Sequence, residues 1–256
     1  MTESTYPSPV SKLLTLGDCR EIRGWPDYLA LGLRPAHVPD LIRMALDEEL
    51  YRAGPDSLDV WAPVHAWRAL GQLRAEAAAE PLTRLLVRID EFDDEWVGEE
   101  FPQVFGMIGP AAVPVLAGYL ADPSHGLWSR VAAASGLKEI GKGHPDAHAE
   151  CVAVLTRQLE QFAELDPILN SFIISSLVDL EAVEAAPVME RAFAADRVDI
   201  SIPGDWEDVQ IELGLMQERQ TPRPQYHTFW DALSPVPPAP PKKKRRRKRK
   251  RRRKSA

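Results

Sequence analysis

The sequence predicts an all-α chain: a right-handed α-solenoid of about five helical hairpins, followed by a disordered C-terminal tail. Three observations carry this. An aliphatic-Gly pair recurs at Leu31-Gly32, Leu70-Gly71, Ile108-Gly109 and Ile140-Gly141, at intervals of 39, 38 and 32 residues, and a fixed period is the mark of a repeat architecture. Apolar residues after each pair follow helical spacing. Beyond residue 220 the composition changes abruptly to proline and then to pure positive charge.

The first 25 residues hold a short helical stretch around Pro9 to Leu16, expected to cap one end of the array. The array itself is expected over 26–215. Its stripes are Val38, Leu41, Ile42 and Ala45; then Leu82, Leu85, Leu86 and Ile89; then Val113, Leu116, Ala117 and Leu120; then Ala185, Val188, Met189 and Ala192. Each runs i, i+3, i+4, i+7, a core-facing helical face. The unit of Val152, Leu155 and Leu159 is less regular, because Thr156 interrupts it. Phe101, Val104, Phe105 and Ile108 show the same period in a helix before the turn. Glycine tolerates a left-handed helix end, and a proline in the next first turn costs no hydrogen bond. One such hairpin cannot bury both stripes, whereas stacked neighbours can. Leu180-Glu181 stands where a fifth pair would be.

The run WRALGQLRAEAAAEPLTRLL resembles the HEAT repeat, in the short form of the phycobilisome-lyase-like group. The likeness covers roughly residues 26–194. SIPGDWEDVQIELGL is similar to the closing segment of a bacterial HEAT-type family of unknown function. The resemblance implies an α-solenoid of HEAT-like hairpins and no particular activity. It also suggests a second reading, a bilin-lyase-like accessory enzyme. A C-terminal cysteine-rich zinc motif of that family cannot be carried over, because no cysteine follows Cys151.

GDWEDVQIEL reads as an N-cap at Asp205 with acids in the first turn, so a closing helix is expected near 205–215. Residues 216–241 read as a proline-rich linker, with seven prolines between Thr221 and Pro241. Residues 242–256 form a polybasic tail whose self-repulsion favours disorder.

Charge divides sharply. Residues 1–241 carry 18 Lys plus Arg against 38 Asp plus Glu, a net of −20. A large excess of one sign repels polyanions, so the body is not expected to bind nucleic acid. The tail reverses the sign: Lys242, Lys243, Lys244, Arg245, Arg246, Arg247, Lys248, Arg249, Lys250, Arg251, Arg252, Arg253 and Lys254 are consecutive. They are the candidate RNA- or DNA-binding residues, with sequence-blind and salt-dependent affinity. The same run also looks like a nuclear signal, and it could fold back on the acidic body as an autoregulatory element.

Candidate docking residues fall in two places. Phe229, Trp230 and Leu233 belong to YHTFWDAL, an apolar octamer inside the linker and a candidate docking peptide. Asp93, Asp94 and Glu95 lie in an acidic cluster running from Asp90 to Glu100. The cluster lacks the turn glycine of an EF-hand and reads as a solvated loop, or as a docking patch for a basic partner, including this chain's own tail.

Catalytic signatures are missing: no G-x-S-x-G, Walker loop or G-x-G-x-x-G occurs. His144 and His148 have i, i+4 spacing but no third ligand, and no His-Glu dipeptide supports a di-iron site, so no cofactor is expected. Cys151 is expected in the core. Cys19, beside Arg20 and Arg23, is expected to be exposed. Two distant cysteines imply reduced thiols in a cytoplasmic setting. Trp61, Trp67, Trp96 and Trp128 are read as core, with an aromatic docking ridge as the alternative. The uncharged stretch Phe101 to Ala121 is broken by Gly109-Pro110, so it is read as two buried helices and no transmembrane segment is expected.

Overall fold

The computed structural model describes residues 6–54 and 57–224. Among these residues all regular structure is helical: twelve α-helices and seven short 3-10 segments. The apolar stripes explain why. In α1 (Val38–Ala45), Leu41 and Ala45 are buried. In α6 (Glu95–Ile108), the stripe of Phe101, Val104, Phe105 and Ile108 is buried throughout. In α7 (Val113–Ala121), Val113, Leu116 and Leu120 face inward. In α11 (Ala186–Ala194), so do Val188, Met189 and Ala192.

The long first helices pack on one another in sequence. α3 (Ala62–Gln72), which also packs on the second helix α1, lies against α6, α6 against α8 (Leu127–Gly143), and α8 against α10 (Pro167–Asp179). The second helices do the same: α4 (Ala79–Thr83) touches α7, α7 touches α9 (Pro145–Leu159), and α9 touches α11. The core sits between these two rows. Two brief helices, α2 (Glu48–Tyr51) and α5 (Val87–Phe92), fill connections. The stripe of Leu82, Leu85, Leu86 and Ile89 spans the break between α4 and α5.

The aliphatic-Gly pairs serve two different purposes. Gly32 ends its helix in the left-handed cap conformation, whereas Gly109 ends α6 at φ 90° and ψ −153°, a different glycine conformation. Gly71 and Gly141 instead lie inside α3 and α8. There the absent side chain permits close approach: a Cβ on Gly141 would lie 2.8 Å from Leu180 Cδ2 and 3.2 Å from Cys151 Cβ. Positive-φ residues follow α3 at Arg74 and α10 at Glu181, while α8 ends at His144 with negative φ.

The segment Val10–Thr15 is a 3-10 helix that buries Val10 and Leu13. At the other end, α12 (Trp206–Glu212) has a reciprocal cap: Asp205 Oδ1 accepts from Asp208 N at 3.0 Å, and Asp208 Oδ2 accepts from Asp205 N at 3.3 Å. Arg219 then folds back, donating to both Asp205 carboxylate oxygens at 2.7 and 2.5 Å. These bonds hold the Asp205 carboxyl below its ordinary range. No single helix among the described residues is long and apolar enough to cross a membrane; the apolar pair α6 and 110–121 bends by 118° at Gly109.

Candidate functional site

Two polar constellations stand out, one buried and one open. The buried one joins the chain before α1 to α3 and α6. Gln72 on α3 accepts from Tyr28 N at 2.9 Å and donates to Pro26 O at 2.8 Å, which fixes Tyr28 against α3. The Tyr28 hydroxyl lies 2.7 Å from His65 Nδ1, and His65 Nε2 lies 3.0 Å from Gly17 O. A carbonyl only accepts, so Nε2 carries the proton and Nδ1 accepts from Tyr28. Burial lowers the His65 pKa, keeping the ring neutral at pH 7.

Cys19 Sγ is 3.5 Å from His65 Nε2. The expectation of an exposed Cys19 is overturned: it is buried, with its sulfur against the ring of His65 on α3. Burial pushes its thiol up to about 12. A neutral thiol beside a neutral imidazole is the reverse of the thiolate pair that cysteine nucleophiles need. The contact is packing. Cys151 is buried as the pattern implied, with its thiol pushed up to about 11 by the same cause.

One helical turn on from His65, Arg68 meets Glu100 of α6. Arg68 Nε donates to Glu100 Oε2 at 2.9 Å, Nη2 donates to Oε1, and Trp67 Nε1 donates to Oε2 at 2.9 Å. Side-chain exposure is 4% for Arg68 and 11% for Glu100. Burial opposes the charge on Arg68, but the Glu100 carboxylate outweighs it and raises the pKa. Arg68 also lies over the rings of Trp25 and Trp96, at 5.3 and 5.6 Å. This network ties α3 to α6.

The open constellation is a groove of about 380 Å³ between the α5–α6 connection and the faces of α8 and α10. Its floor is Ile89, Val131, Ala132 and Phe172; its rim is Asp93, Asp94, Glu95 and Trp128. That volume lies at the small end of the range of about 300–1,000 Å³ for ligand pockets. Local chemistry places each rim residue. Asp93 ends α5 in the left-handed conformation. Asp94 caps α6, accepting from Val97 N at 3.3 Å, and pairs with Arg88 Nε at 3.0 Å. Asp90 caps α8, accepting from Trp128 N and Ser129 N at 2.9 Å each. Trp128 thereby stands at the second position of α8, its ring edge-on to Phe172 at 6.0 Å. Its residue exposure is 46%.

The acidic cluster is therefore divided. Asp90, Asp94 and Glu100 are committed to capping and ion pairing. Asp93 and Glu95 have no cation partner among the described residues. The tryptophans divide too: Trp67 is core at 1% exposure, Trp61 and Trp96 are half-buried and packed edge to face at 5.3 Å, and Trp128 is exposed. Phe172 carried no signal in the sequence, being 44 positions from Trp128; only the packing of α10 on α8 brings it there. His144 and His148 each turn to a main-chain carbonyl, Gly106 O at 2.9 Å and Gly141 O at 3.2 Å. No metal-binding group of three ligands occurs among the described residues. Phe229, Trp230, Leu233 and the run Lys242–Lys254 lie outside the described residues.

Comparison with protein-family models, with curated proteins and with solved structures finds no match to this chain.

Proposed function

We propose that this chain is a non-catalytic interaction scaffold. Its body is an α-solenoid of about five HEAT-like hairpins that docks a protein partner, and its polybasic run tethers the assembly to nucleic acid or another polyanion. The two rows of mutually packed helices support the solenoid reading, since each hairpin buries its stripes against the next. A reducing, cytoplasmic setting belongs to the same proposal, in keeping with two buried free thiols.

The observation that carries the proposal is the segregation of charge. Thirteen cations stand in one uninterrupted block, while the remaining residues hold a net of −20. Interspersed charges of both signs serve solubility; a separated block releases condensed counterions from a polyanion and binds it. The block holds no aromatic residue, so base stacking is not part of its mechanism.

The test is binding of duplex DNA and single-stranded RNA by the full chain and by a chain ending at Pro241. The shortened chain is expected to lose binding and keep its helical circular dichroism. Retained binding at moderate salt would overturn the assignment of the polyanion site to 242–254.

A further inference from the structure

We infer that the groove between the α5–α6 connection and α8 docks a peptide segment of a partner protein in which an apolar side chain is flanked by arginine or lysine. This deepens the scaffold reading and rests on it. The groove combines two chemistries. Its floor is apolar, formed by Ile89, Val131 and Phe172. Its rim carries Asp93 and Glu95, both exposed and without a cation partner among the described residues.

Two large apolar side chains are exposed at or beside this place: Trp128 is 46% exposed and Phe92, one residue before Asp93, is 64% exposed. An aromatic anchor site bordered by charge is the pattern of an interface hot spot. The exposed Trp128 face also suits a guanidinium, which stacks on indole while pairing with a nearby carboxylate. Of the neighbouring acids, Asp94 is held by Arg88 and Asp90 by the first turn of α8.

Charge complementarity selects a basic occupant, and the floor selects one that also brings an apolar group. The chain's own segments each lack half of this. The run Lys242–Lys254 contains no apolar residue, and YHTFWDAL contains no Lys or Arg. A partner segment supplying both is the better fit.

The test uses the full chain and three labelled synthetic pentapeptides, RRFRR, RRSRR and EEFEE, followed by fluorescence anisotropy at two salt concentrations. RRFRR is expected to bind at least tenfold more tightly than RRSRR, and any binding of EEFEE to disappear when Lys242–Lys254 are replaced by serine. Trp128→Ala should reduce RRFRR to the level of RRSRR. The surface pair Asp93→Asn with Glu95→Gln, which leaves the floor and the left-handed turn intact, should weaken RRFRR and flatten its salt dependence. Equal binding of RRFRR and RRSRR, or no effect of either variant, overturns the proposal. So does binding that appears only when Lys242–Lys254 are replaced by serine, because the occupant is then this chain's own basic run. RNA binding is measured on the same proteins. Its absence from the native chain, or its loss in a groove variant, would overturn the tail reading and, with the peptide result intact, leave the groove standing.

Discussion

Replacing Glu100 by glutamine isolates what the buried ion pair contributes. The substitution preserves shape and removes one charge. In the native chain the Glu100 carboxylate accepts from Arg68 Nε, Arg68 Nη2 and Trp67 Nε1. Arg68 has little other support, since its Nη1 is already buried without a hydrogen-bond partner. In Glu100→Gln the guanidinium remains at 4% side-chain exposure with no counter-charge, and the amide NH2 opposes one of its donors. Breaking a buried pair from one side costs about 3–5 kcal/mol. The lower figure applies, because Gln keeps one carbonyl acceptor and the rings of Trp25 and Trp96 still face the cation. A loss of about 3 kcal/mol corresponds to a fall in Tm of about 6–12 °C for a body of this size. The double variant Arg68→Met, Glu100→Leu removes both charges and leaves only the Trp67 N–H unpaired, a cost of about 1–3 kcal/mol. It should therefore be no less stable than Glu100→Gln. Urea and thermal unfolding followed by circular dichroism measure both. A loss below about 1 kcal/mol in Glu100→Gln, or a double variant clearly worse than the single, would refute the reasoning.

Three further outcomes are expected. Gly109 has φ 90° and ψ −153°, a region open essentially to glycine, and a Cβ there would lie 2.8 Å from His144 Cε1; Gly109→Ala should cost more than about 1–3 kcal/mol, whereas Gly143→Ala, with open space around it, should be neutral or stabilising, as unfolding curves will show. Both thiols are buried and raised, so a disulfide reagent at pH 8 should label neither cysteine in the native chain and two after denaturation; one fast-reacting native thiol would contradict the buried placement of Cys19. His65 is held neutral with its pKa lowered by burial, so its contribution is present above the unfolded value of about 6.5 and is lost as pH falls from there toward the folded value. Tm should fall more steeply between pH 7 and 5 in the native chain than in His65→Gln, and identical slopes would count against it.

The helical rows were legible in the sequence because burial there is periodic. Phe101, Val104, Phe105 and Ile108 face inward as their spacing requires. The role of the aliphatic-Gly pairs was only half legible. A glycine that caps and a glycine that lets two helices touch look alike until the neighbour, such as Leu180 against Gly141, is in place. Cys19 was misplaced for a similar reason: its local company of Arg20 and Arg23 suggests exposure, while His65, whose ring its sulfur meets, is 46 positions away. The acidic cluster was seen, but its division was not. Asp94 is a cap one residue before a helix, a pattern that could have been read; Asp90 caps a helix 37 residues further on, which no local rule reveals. The groove beneath Asp93 and Glu95 depends on Phe172, and so on the docking of α10.

The proposed separation of a polyanion-binding run from an acidic docking body is tested most directly by the salt dependence of RNA binding. For a single-stranded RNA, each phosphate neutralised contributes about 0.7 to the slope of log K against log salt. The full chain is expected to give a steep linear fall equivalent to several phosphates, and a chain with Lys242–Lys254 replaced by serine to give no binding at any salt. A shallow slope in the full chain, or measurable binding by the substituted chain, would contradict the account.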